Sequence, residues 1–182
     1  MRVIQSALGA PAAARSVLTE RISPPPRPRN AFKVLFLCVD NSICSIMAEA
    51  LLKRWGGQDF HAFSAGIVPR NEIDPLAADL LKTCNVWDQA LRSKSCKEFL
   101  APDAPRMDFI VSLGGYPPAR IPTVWPGHPQ VIHWRITEPV VNGAPKQQAQ
   151  SFKTAFRELE TRIKLFVLVY QREAMKGIAT AA

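Results

Sequence analysis

The sequence predicts an α/β fold: a single doubly wound domain in which a central four-stranded parallel sheet is flanked by helices. Three observations predict it. From Ala31 onward, short apolar runs alternate with longer amphipathic segments, the pattern of strand–helix units. The run Phe109–Leu113 (FIVSL) is apolar enough to be central in a sheet. Near the end of the chain Phe152, Phe156, Leu159, Ile163, Phe166 and Tyr170 recur at three and four residues, a stripe suited to packing on a sheet.

The elements follow in order. The first strand falls near Lys33–Leu37. The first helix falls near Ser45–Trp55, with Ile46, Ala50 and Leu51 at core spacing, and Gly56 and Gly57 stop it. A second strand is expected near Phe60–Ser64. A second helix is expected near Pro75–Cys84, with Leu76, Leu80 and Leu81 on one side. The third strand is Phe109–Leu113, a fourth lies near Val131–His133, and the last helix runs near Gln147–Lys176. Residues 1–30 read differently. Ser23–Arg29 is proline-rich and cannot continue a helix. The segment reads as a disordered extension, with an arginine-rich targeting peptide as the alternative. The domain is then 31–176.

Composition narrows the function classes. At 182 residues the chain is long enough for one domain with a real core. It has no apolar run of membrane-spanning length. The net charge of +8 sits at the two ends: residues 1–30 hold five basic residues against one acid, residues 146–182 hold seven against three, and 31–145 hold eleven of each. A nucleic-acid surface would cluster its basic residues on one face with aromatics among them, so nucleic acid is not the expected partner. The four cysteines (38, 44, 84 and 96) form no C-x-x-C pair and show no metal-ligand spacing with the three histidines. No secretory signal is legible, so a cytoplasmic, reducing compartment is expected.

The chemistry concentrates in Lys33–Ala50 (KVLFLCVDNSICSIMAEA). A strand ends at Cys38, a tight loop follows, and a helix opens at Ser45. Such a turn aims loop N–H groups and a helix N-terminus at one point, which suits an oxyanion. The same field favours thiolate, so Cys38 is expected to be an acidic nucleophile.

This stretch resembles the active-site loop of the low-molecular-weight tyrosine phosphatase superfamily, which includes the thiol-dependent arsenate reductases. The family pattern is Cys, five residues, Arg, Ser. Cys38 and Ser45 match it, Asn41 fits the loop asparagine, and Met47-Ala48-Glu49 fits the start of the first helix. The Arg position holds Cys44. Downstream, Ser64-Ala65-Gly66 matches the second-strand signature. Arg92-Ser93-Lys94-Ser95, Val124-Trp125-Pro126-Gly127 and His133-Trp134 followed by Glu138-Pro139 look like the arsenate reductase branch. The resemblance covers roughly residues 32–172.

What the resemblance implies is a thiolate attack by Cys38 on the central atom of a bound arsenate or phosphate. Loop amides of Asp40, Asn41, Ser42, Ile43, Cys44 and Ser45 would hold the oxyanion, the Ser45 hydroxyl would favour the thiolate, and Glu138 stands where the family has its acid. Asp40 departs from the small residue usual there and would repel a dianion unless it points outward. Cys44 removes a bidentate arginine, worth roughly 3–6 kcal/mol in the transition state. Arg92, Arg120 and Arg135 are the substitutes that loop position suggests. The relay cysteines of thioredoxin-coupled relatives are absent from Leu113–Pro117 and Arg120–Thr123. The reductant is then an external thiol such as glutathione, glutaredoxin or thioredoxin, with Cys44 as an in-loop relay in the alternative. Cys84 reads as a small core residue. Three activities stand open: arsenate reduction, a degenerate oxyanion- or partner-binding protein, and tyrosine phosphatase.

Overall fold

The computed structural model describes residues 31–115, 122 and 124–179, with side chains to 171. The expected extension 1–30 lies outside the described residues, as do Arg120 and most of the segment that would carry relay cysteines.

Strands β1 (Phe32–Cys38), β2 (Phe60–Gly66), β3 (Phe109–Leu113) and β4 (Gln130–Trp134) form one parallel sheet in the order β2-β1-β3-β4. Helices are α1 (Cys44–Gly56), α2 (Pro75–Thr83) and α3 (Pro145–Ala179). Every expected strand and helix is present. The boundaries differ by a few residues, and one difference matters: α1 starts at Cys44, so Cys44 is helical.

The sheet is covered unequally. Val34, Phe36, Phe109 and Val111 point to the face where side chains of α1, α2 and α3 complete one core. Phe32, Phe60, Phe109, Phe166 and Tyr170 pack there with ring centroids 4.6–5.9 Å apart, the range of tilted and edge-on aromatic contacts. Leu35, Leu37 and Ile110 point the other way. They meet Cys96 and Phe99 from a short 3-10 turn, together with Met107 and Trp125. The doubly wound expectation placed helices on both faces; among the described residues a turn and loops cover the second. The physical reason is local. The segment 85–108 has no helical apolar period, and Pro102 and Pro105 interrupt any helix there.

Alternation of this kind sends β1 and β3, the two central strands, to the same end of the sheet. That end carries Cys38, and loops following β2, β3 and β4 gather around it.

Candidate active site

Cys38 ends β1, and the next five residues turn the chain into α1. Asn41 takes the left-handed backbone at φ 49°, which asparagine tolerates better than most residues. It is fully buried and tied at both ends of its amide. Its Nδ2 donates to Ser45 Oγ at 2.8 Å, and its Oδ1 accepts from the Lys94 N–H at 2.6 Å. The Ser45 hydroxyl lies 2.9 Å from Cys38 Sγ, and the Asn41 N–H donates to the same sulfur at 3.1 Å. The sulfur therefore has a hydroxyl and a backbone amide set for a negative charge.

The helix end supplies more donors. The N-cap of α1 is Ile43, an apolar side chain that makes no capping hydrogen bond. The first-turn amides of α1 are thereby left without a side-chain cap, beside Cys38. In α2, by contrast, Asp74 caps the Leu76 N–H at 2.9 Å and Pro75 opens the helix. The Ser42 hydroxyl is buried and has no hydrogen-bond partner among the described residues.

The loop is held from behind by a buried ion pair. Lys94 Nζ lies 2.9 Å from Glu49 Oε2, with the two side chains 8% and 4% exposed. Glu49 also accepts from Ser64 Oγ at 2.6 Å and pairs with Lys53 at 3.1 Å, and Lys94 Nζ donates to the Arg92 carbonyl at 2.9 Å. Lys94 thus links α1 to the loop, because its own N–H fixes Asn41. Gly66, at the end of β2, lets the loop come close: a Cβ there would stand 2.9 Å from the Val39 carbonyl oxygen and 3.0 Å from the Asn41 nitrogen.

Electrostatics correct one expectation. Burial, the largest influence, pushes the Cys38 thiol above its ordinary value of 9.0, and the negative charge of Asp40 adds to the rise. The hydrogen bonds from Ser45 and from the Asn41 and Asp40 amides pull the other way without winning. Burial thus opposes the acidity expected of a thiol at a helix N-terminus. Cys44 is also pushed up, first by burial and then by the charges of Cys38, Glu138 and Asp40 around it.

Asp40 points inward. Its Oδ1 lies 4.0 Å from Cys38 Sγ and accepts from the Ser42 N–H at 3.3 Å, while its Oδ2 pairs with Arg70 Nε at 3.1 Å. Glu138 follows β4 and reaches the same end of the sheet. Its Oε1 accepts from the Gly115 N–H at 3.1 Å, and Gly114, at φ 80°, leaves room for it: a Cβ there would stand 2.8 Å from that oxygen. The structure thus gathers Cys38, Asp40, Asn41, Ser42, Ile43, Cys44, Ser45 and Glu138 at one site. Arg92 goes elsewhere, paired with Glu98 at 2.6 and 3.1 Å on the surface. Cys84 packs against the main core, as expected of a small core residue, and Cys96 is buried in the second core. The sequence reading missed Arg70 and the pairing of Lys94 with Glu49. Both lie in segments whose proximity to the loop depends on strand order, and Arg70 had only its place in the loop after β2 as a signal.

A strand-end cysteine, a buried loop asparagine and an uncapped helix start thus meet at one end of a four-stranded parallel sheet. Residues 33–176 match the family described as low molecular weight phosphotyrosine protein phosphatase, and the chain belongs to that family. It is similar to the arsenate reductase of Brevibacillus brevis, 30% identical over an alignment of 146 residues, covering 75% of this chain and 95% of the relative. It is also similar to the arsenate reductase of Halalkalibacterium halodurans, 28% identical over 73% of this chain and 93% of the relative. The crystal structure of arsenate reductase from Archaeoglobus fulgidus superimposes with a TM-score of 0.58 at 26% identity, covering 74% of this chain and 98% of that one. The chain is an arsenate reductase-like member of its family.

Proposed function

We propose that this protein reduces arsenate through the Cys38 thiolate, with an external thiol as reductant. The observation that carries the reading is the pair of donors on Cys38 Sγ, Ser45 Oγ at 2.9 Å and the Asn41 N–H at 3.1 Å, beside an uncapped helix start. The similarity to arsenate reductases supports the choice of oxyanion. In this reading the Cys38 thiol gives up its proton as arsenate binds, and the sulfur attacks arsenic. One arsenate oxygen leaves as water, with Glu138 as the proton donor. A second thiol then attacks Cys38 sulfur. The As–S bond breaks, its electron pair stays on arsenic, and arsenite departs. The product on the protein is a disulfide at Cys38, which glutathione, glutaredoxin or thioredoxin would reduce. The protein would act in the cytoplasm, where such thiols are supplied.

A second reading has an observation of its own. Cys44 fills the arginine position of the family pattern, the Asp40 carboxylate lies 4.0 Å from the sulfur, and burial holds Cys38 in its thiol form. All three suit a member that binds an oxyanion or a partner without turnover. A phosphatase is the third reading, from the family itself. One assay separates them. Purified full-length protein is given arsenate with glutathione, or with thioredoxin and its reductase, and thiol oxidation is followed. Arsenate-dependent oxidation that disappears in Cys38→Ser is the expected result. Hydrolysis of an aryl phosphate without thiol consumption would select the phosphatase, and neither reaction would select the binding protein.

A further inference from the structure

We propose that Arg70 supplies the guanidinium that holds an oxyanion over Cys38, and that the Asp40 carboxylate occupies that place until the oxyanion displaces it. The inference rests on the oxyanion reading of the loop and names the cation that Cys44 does not provide.

The segment after β2 is laced to the cradle. The Ile67 N–H donates to the Cys38 carbonyl at 3.1 Å, the Val68 N–H to the Val39 carbonyl at 2.8 Å, and the Arg70 N–H to the Asp40 carbonyl at 3.0 Å. Arg70 is therefore fixed at its main chain beside the third residue of the loop. Its side chain is 60% exposed and returns to the loop through the Nε contact with Asp40 Oδ2. Among the described residues Asp40 is its ion-pair partner, so the terminal guanidinium nitrogens are uncommitted. The surface arginines 92 and 162 are committed to Glu98 and Glu158.

The Asp40 carboxylate behaves as a tethered anion. One oxygen takes the Ser42 N–H at 3.3 Å and lies 4.0 Å from Cys38 Sγ, and the other takes the guanidinium. A tetrahedral oxyanion at the sulfur would present two oxygens to the same two donors. The competition favours the oxyanion for two reasons. A partly exposed Asp–Arg pair is held weakly, because water and salt screen it. A phosphate or arsenate dianion carries more charge than a carboxylate and can add the free guanidinium nitrogens in a forked contact. Once displaced, Asp40 is partly exposed already and has water to turn to.

The test uses the full-length protein with inorganic phosphate and arsenate as probes. Binding is read by calorimetry and by protection of Cys38 from iodoacetamide, mapped by peptide mass spectrometry. Arg70→Gln keeps side-chain length without charge and should bind at least about tenfold more weakly. Arg70→Lys should retain part of the affinity. Asp40→Asn removes the competing charge and should bind several-fold more tightly. In the double variant most of that gain should vanish, because the freed guanidinium is gone. Circular dichroism melts check that each variant is folded. Equal affinity of Arg70→Gln and the parent overturns the assignment of Arg70 while leaving the cradle intact. If neither the parent nor Asp40→Asn binds either anion, the oxyanion reading of the loop falls as well.

Discussion

Replacing Lys94 by Met isolates what the buried ion pair does for the loop. Methionine keeps the unbranched stem but removes the charge, leaving Glu49 4% exposed without its closest cation. Breaking a buried pair by deleting one partner typically costs 3–5 kcal/mol. Here Glu49 keeps Ser64 Oγ at 2.6 Å and the half-exposed Lys53 at 3.1 Å, so the lower end applies, about 3 kcal/mol. For a domain of this size that lowers Tm by about 6–12 °C. The loss should reach the site, because the Lys94 N–H fixes Asn41 and Asn41 fixes Ser45. Thermal unfolding followed by circular dichroism gives the stability change, and the alkylation rate of Cys38 gives the loop's. A double-mutant cycle with Glu49→Gln should show a coupling of about 1–3 kcal/mol, since no lone charge stays buried in the double variant. A Tm within about 2 °C of the parent, or additive losses in the cycle, would refute the pair as the support of the loop.

The pH dependence of Cys38 should be alkaline. Only thiolate is alkylated, so the rate should rise through a midpoint above 9.0. Ser45→Ala removes a donor to the sulfur and should raise that midpoint; Asp40→Asn removes a repelling charge and should lower it. A parent midpoint below neutral pH contradicts the dominance of burial. By linkage, a folded-state value above the unfolded one stabilises the protein below about pH 9, and the contribution fades as pH climbs through the folded value. Cys44→Arg restores the fork of the family loop and should tighten phosphate binding by at least about tenfold, measured by calorimetry. Unchanged affinity would mean that a cation already serves the site, which Arg70→Gln in the same background checks. Mild oxidation should link Cys38 to Cys44 if Cys44 acts as a relay, and peptide mapping reads it. Sulfinic acid on Cys38 with Cys44 free rules the relay out.

The sequence by itself settled what depends on neighbours along the chain. The strand ending at Cys38, the turn at Asn41 and the stripe Phe152–Tyr170 are local patterns of polarity and backbone preference, and each appears where those patterns put it. The placing of Glu138 at the same end of the sheet as Cys38 was legible in the same way, because parallel strands deliver their carboxyl ends to one side. The start of α1 was read one residue late, at Ser45 rather than Cys44, because Ile43 carries no capping group to mark the boundary. What only the tertiary structure decided concerns charge. Lys94 meets Glu49 across 45 positions because its segment pairs with the end of β2 at Gly66, and Arg70 meets Asp40 across 30 because β1 and β2 lie side by side. The acidity of Cys38 belongs to the same class. A helix N-terminus can be read from sequence, but the depth of burial that raises the thiol is set by everything packed around the loop.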